Sequence, residues 1–168
     1  MRSDLSKSIL HVCEVLNRND VKYIIVGGTA VALHGYFRMS MNLWGEISEK
    51  PDLDFWYNPT YENYFNLLNA LGDLGQNVQE FKDEQTPNPK KSFFKFETDD
   101  FTLDFLPELK APLKFRQAFQ NRETVTLNGI DIHFLGFDEL IQDKEATARP
   151  KDINDIEQLR KKRNDIDS

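Results

Sequence analysis

A single cysteine, Cys13, stands among the 168 residues, which excludes an internal disulfide and a cysteine-built zinc site. That usage suits a reducing cytoplasm. No apolar run approaches the roughly 20 residues that a membrane helix needs. The opening MRSDLSKS lacks the apolar stretch of a secretory signal. The expectation is a soluble, cytoplasmic protein with no membrane partner. Positive charge is also scarce: 21 Lys and Arg against 28 Asp and Glu leave a net charge of −7. Such a balance argues against a broad nucleic-acid or anionic-lipid footprint, while leaving room for a small basic pocket. His11, His34 and His133 have no ligand spacing, and no internal repeat is visible.

What is present is a core. Apolar residues make up 39% of the chain and include 13 Phe, enough for one domain spanning 1–168. Leu5, Ile9, Val12 and Leu16 recur at helical spacing and predict a helix over 4–18, with Cys13 as a small core residue. KYIIV (22–26) reads as a short strand stopped by Gly27-Gly28, and TAVALH (29–34) as a helix that begins at the glycines. Residues 38–51 read as a loop and 53–57 as the second strand. Asn58 then caps a helix with Pro59 at its first position, Tyr61, Tyr64, Leu68 and Leu71 on its inner stripe and Gly72 at its end. Polar residues and two prolines over 73–91 predict a mobile loop. Strands over 92–97 and 101–106 form a hairpin, and 125–127 with 130–134 form another around Asn128-Gly129. A short helix over 113–119, then helices over 137–148 and from 150 to about 163, complete the order. The pattern is a mixed α/β (α+β) fold, one sheet flanked by helices, with a charged tail that frays.

PDLDFW carries the chemistry. Strand alternation puts Asp52 and Asp54 on one side and Leu53 and Phe55 on the other. Two like charges at the rim of a core are costly unless a cation sits between them. In FTLDFL, Asp104 shares a strand face with Thr102 and Leu106. If that strand lies beside the DLD strand, three carboxylates converge. Such a set suits a hard divalent cation such as Mg²⁺, which keeps positions for water and substrate phosphates. Two such ions can clamp the attacking and leaving oxygens of a phosphoryl displacement. Gly27-Gly28-Thr29, between a strand and a helix, offers backbone N–H groups to an anion, and the Thr29 hydroxyl can add one more bond.

VGGTAVALHGYFR, PDLDFW and TLDFL together resemble the nucleotidyltransferase superfamily related to DNA polymerase β. The branch is that of the AbiEii-type toxins and minimal nucleotidyltransferases. LIQDKEATARPKDINDIEQL, residues 140–159, is similar to a segment that follows the core in that branch. The resemblance covers roughly 20–160, with a catalytic core over 20–106 and a C-terminal hairpin and helices over 107–168. It implies a nucleotidyltransferase fold in which Gly27, Gly28 and Thr29 hold a nucleoside triphosphate. Asp52 and Asp54 would bind two Mg²⁺ ions, and Asp104 would complete the site and act as base. The implied reaction transfers a nucleoside monophosphate to an acceptor hydroxyl on a protein, a tRNA end or a small molecule. The implied setting is the toxin half of a toxin–antitoxin pair, with the antitoxin as partner. Between Arg38 and Asp52, where relatives run a short connection, this chain carries MSMNLWGEISEK, which reads as a lid or acceptor loop.

Further residues have two readings each. Arg38 reads as a phosphate contact or partner of the DLD strand, or as a solvated loop charge. Lys144 lies at i+7, i+4 and i+3 from Phe137, Leu140 and Ile141, on the apolar side of its helix. It reads as reaching the triphosphate or a metal carboxylate, or as a packed stem with its head snorkelling outward. Asp152 and Asp155, one turn apart, are expected to pair with Lys144, Arg149 or Lys151. Two other functions stay open: a non-catalytic nucleotide- or partner-binding module on the same fold, and a metal-dependent phosphohydrolase using the same carboxylates.

Overall fold

The computed structural model describes residues 2–35 and 51–167. Arg38 and nearly all of the expected 38–51 loop lie outside the described residues. Helix α1 (Arg2–Arg18) buries Ile9, Val12, Cys13, Val15 and Leu16, the helical stripe its spacing predicts. Strand β1 (Tyr23–Val26) is buried at all four positions. It lies between antiparallel β2 (Asp52–Tyr57) and parallel β6 (Ile130–Phe134), so both its faces are covered. Beyond β2 come β4 (Thr102–Leu106), parallel to it, and β3 (Phe94–Glu97), antiparallel to β4. On the far side β5 (Glu123–Leu127) pairs with β6. The six-stranded sheet thus runs β3-β4-β2-β1-β6-β5, mixed and flanked by helices, as expected.

The remaining helices are α2 (Gly27–Leu33), α3 (Tyr61–Asp73), α4 (Gln79–Lys82), α5 (Phe115–Gln120), α6 (Phe137–Thr147) and α7 (Pro150–Asp167). One contiguous cluster holds the core together, mostly aliphatic, with aromatics as its largest buried side chains. Phe55 stacks on Phe105 at 5.1 Å, and Trp56 meets Phe115 edge-on at 5.3 Å. No helix among the described residues is long and apolar enough to cross a membrane.

Several boundaries differ from the sequence pattern, each for a local reason. α3 is capped by Thr60, whose hydroxyl accepts from the Asn63 N–H, rather than by Asn58. Buried Asn63 donates to both the Asn58 and Lys22 carbonyls, at 2.8 and 3.0 Å, and holds residues 58–60 out of the helix. Tyr61 therefore sits exposed at the first helical position instead of on the inner stripe. Gly72 lies inside α3, and the chain turns away at Gly75 with φ of +92°. Residues 73–91 are not a bare loop. They hold α4 and a 3₁₀ turn at Pro89–Lys91, pinned by the Tyr57 hydroxyl on the Pro89 carbonyl at 2.8 Å and by Phe81 against Phe94. The hairpin at Asn128-Gly129 is as expected, with φ of +53° and +77°. α7 continues to Asp167, past the expected fraying point.

Candidate active site

The strand order meets the condition on which the carboxylate reading depended. β2 and β4 are parallel neighbours, and their register sets Asp54 beside Asp104 and Asp52 beside Thr102. Asp54 is also paired across β1 with Val26, the residue before Gly27. Leu53 and Phe55, on the opposite side of β2, are buried in the core and fix this register, because a one-residue slip would drive the carboxylates into it.

The three aspartates are not equivalent. Asp54 and Asp104 are half-buried, and Asp104 Oδ1 has lost contact with water without a hydrogen-bond partner among the described residues. Burial, then the adjacent Asp104 carboxylate and a side-chain hydrogen bond shared with it, and then Asp52, push the Asp54 carboxyl up to about 7, with Lys144 pulling the other way. Asp52 is exposed, and its carboxylate accepts a short hydrogen bond from the Thr102 hydroxyl. Among the described residues, no three His, Cys, Asp or Glu side chains stand as a preformed metal group. Asp54 and Asp104 therefore form the tight pair, and Asp52 stands apart in the grip of Thr102.

The glycines play a part that spacing alone did not reveal. Helix α2 starts at Gly27 itself, at the glycines as expected, and is only seven residues long. Gly27 has φ of +68°, and a Cβ there would lie 2.6 Å from Asp54 Oδ2. Gly27 thus lets the Asp54 carboxylate close against the turn between β1 and α2. Gly28 is exposed, with nothing within 4 Å of where its Cβ would be, so its backbone is open to a ligand. Thr29 is buried, and its hydroxyl donates to the Asp52 carbonyl at 3.1 Å, tying α2 to β2.

Lys144 lies on the inner side of α6, its side chain only 5% exposed, 3.1 Å from Asp152 and 3.2 Å from Asp155. Asp152 is fully buried and accepts from Lys144, Thr147, the Arg149 N–H, and the Arg149 Nε and Nη2. Burial alone would raise its carboxyl, but the bonds from Arg149 and Thr147 outweigh it and hold Asp152 well below the usual range. The expected pairing of these aspartates with Lys144 and Arg149 is what the structure contains. Both cations also reach the carboxylate face electrostatically: Lys144 lowers Asp54, and Asp54 raises Arg149.

Two residues escaped the sequence reading. Thr102 was placed on the Asp104 face but not as the clasp on Asp52. Asp143 is nine-tenths buried beside Lys144, and burial raises its carboxyl against the pull of that lysine. Its position three residues after Leu140 was the available signal. His34 is packed, with Nε2 2.7 Å from the Leu135 carbonyl, and Cys13 is buried in the core. Compared with models of protein families and with curated proteins, the chain gives no significant match.

Proposed function

We propose that this chain is a nucleotidyltransferase that moves a nucleoside monophosphate from an NTP to an acceptor hydroxyl. One observation carries the reading: Asp54 and Asp104 are forced together by strand register, with a buried oxygen of Asp104 left without a hydrogen-bond partner among the described residues. Such an arrangement is costly for the apo fold, and a bound cation or a reacting hydroxyl relieves it. The residues fit a divalent cation in that Asp54 and Asp104 present hard oxygen donors, with Asp52 completing the set once it leaves Thr102. Mg²⁺ held there would neutralise charge on the triphosphate and polarise the reacting α-phosphate.

The residues of the chain do the rest. The exposed backbone at Gly28, on the β1 side of the carboxylates, meets the leaving pyrophosphate. Lys144 on α6 and Arg149 at the α6–α7 joint, each paired with Asp152, also couple electrostatically to Asp54. The acceptor oxygen forms its bond to the α-phosphorus as the bond to the bridging oxygen breaks. Its proton passes to the Asp104 carboxylate. Positioning and electrostatics provide most of the rate. The toxin–antitoxin setting and the choice of acceptor rest on the sequence resemblance alone.

The test is calorimetric titration of a non-hydrolysable NTP analogue with and without Mg²⁺, into the wild type and into Asp52→Asn with Asp54→Asn. Mg²⁺-dependent binding that disappears in the double variant is expected. Absence of binding in both proteins would favour the second reading, a non-catalytic module, for which the closed Asp52–Thr102 bond is the supporting observation.

A further inference from the structure

One edge of the sheet is guarded and the other is bare. At the β3 edge, Lys95 and Glu97 set a charge at every second position of a four-residue strand. β5, the opposite edge, reads ETVTL: five residues with no lysine, no proline and a single acid. It pairs with β6 one to one from Glu123 to Leu127, so no bulge turns it aside. Glu123, Thr124, Thr126 and Leu127 are exposed, and Val125 is half-buried. Leu127 is 46% exposed, among the few large apolar side chains left in water. A β-branched edge without a guard accepts another strand.

The hairpin fixes which backbone groups face outward. Asn128 and Gly129 both have positive φ, the geometry of a two-residue turn whose flanking residues, Leu127 and Ile130, bond to each other. Bonding then alternates along the strand. Glu123, Val125 and Leu127 turn their N–H and C=O groups to β6, while those of Thr124 and Thr126 point off the edge. Among the described residues neither threonine has a backbone partner beyond β6.

The strand's own sequence narrows what it takes. An antiparallel partner must set its outward residues against Thr124 and Thr126. A second copy of the chain does so in the register centred on Val125: Thr124 meets Thr126 of the second copy, and Thr126 meets its Thr124, so each donates and accepts. Val125 then faces Val125 across the two-fold axis, and the exposed Leu127 lies diagonal to it and is covered. Threonine pairs are favourable cross-strand neighbours. Glu123 falls opposite Leu127, which keeps the two glutamates about 14 Å apart, beyond most Coulomb repulsion in physiological salt.

We infer that the chain forms a two-fold dimer by antiparallel pairing of β5 with β5 of a second copy, joining two six-stranded sheets into one. β6 and β1 separate this edge from the carboxylates on β2 and β4, so the dimer leaves the candidate site open and does not rest on the transferase reading.

Sedimentation of the full chain from about 1 µM to about 500 µM reads the association directly. The wild type is expected to pass from monomer to dimer. Thr126→Pro removes an outward N–H where an edge strand tolerates proline, and should weaken association at least tenfold while far-UV circular dichroism stays unchanged. Val125→Lys and Val125→Glu should each remain monomeric alone and form a heterodimer when mixed, a rescue that a folding defect does not imitate. Amide exchange gives a second reading: the Thr124 and Thr126 amides should slow as the dimer fills, whereas the Val125 amide, bonded to β6, should be slow at every concentration.

A wild type that stays monomeric throughout would overturn the dimer and leave the edge to a strand of another protein. A dimer that Thr126→Pro leaves equally tight, or charge variants that do not recover on mixing, would overturn it by placing the contact elsewhere.

Discussion

The two adjacent glycines look alike in sequence and are unlike in the fold. Gly27 has a positive φ and no room for a Cβ, because Asp54 Oδ2 occupies that place. Gly27→Ala should therefore cost about 1–2 kcal/mol in backbone strain alone, and should displace the Asp54 carboxylate as well. Urea melts should register the stability loss, and calorimetry a weakening of Mg²⁺-dependent NTP binding. Gly28→Ala meets open space at an ordinary φ within a helix, so stability should stay level or rise by about 0.5–1 kcal/mol. Equal losses in the two variants would mean that the Gly27–Asp54 contact does not set the site. Thr102 permits a second test at this scale. If Asp52 must leave the Thr102 hydroxyl to reach a cation, Thr102→Val should bind Mg²⁺ and the analogue as tightly as wild type or more so. A large loss would instead make the clasp part of the working site.

At the scale of elements, the α6–α7 joint is built on Asp152. The chain turns at Ala148 in the left-handed region, φ +47°, and the Arg149 N–H just beyond it is held by Asp152 at 3.0 Å. Asp152 then collects Lys144, Thr147 and the Arg149 side chain. Asp152→Ala would leave a buried ammonium with Asp155 as its remaining partner, at a cost of about 3–5 kcal/mol. Ala148→Gly should relieve the turn and stabilise by about 1 kcal/mol. Chemical denaturation of both variants checks the pair, which should move in opposite directions. Part of this joint was legible beforehand: helical spacing put Lys144 inside and proposed Asp152 and Asp155 as its partners. The convergence of donors on one carboxylate was not, because it depends on a left-handed turn at an alanine, which no glycine marks. Likewise the Asn63 bonds that start α3 at Tyr61 join segments 41 residues apart, beyond the reach of any local cap rule.

At the scale of the molecule, periodicity supplied the strands and the class of fold, but neighbourhood came only with the sheet. Residues 54 and 104 become register partners because β4 lies parallel beside β2, a pairing that hydrophobic patterning leaves open. That pairing writes itself into the pH dependence of the whole fold. Asp54 has a folded-state value of about 7 against an ordinary 3.8, so its ionised form is disfavoured in the native protein. A raised carboxyl binds its proton more tightly when folded, and stability must rise as pH falls through about 7 toward the ordinary value. Asp152 works in the opposite sense. Its depressed carboxyl stabilises the fold above the ordinary carboxylate range, and that contribution fades as acid protonates it. Thermal melts in chelator should therefore show the melting temperature increasing from about pH 8 to about pH 5 and declining at stronger acid. In Asp54→Asn the first rise should shrink to what the raised Asp143 carboxyl contributes, while the acid decline remains because Asp152 is untouched. Added Mg²⁺ should reverse the first trend in the wild type, since a cation between Asp54 and Asp104 competes with the proton and binds best where both are ionised. A rise that persists unchanged in Asp54→Asn would place its origin elsewhere, and would mean that the Asp54–Asp104 pair does not store the repulsion the proposed site relies on.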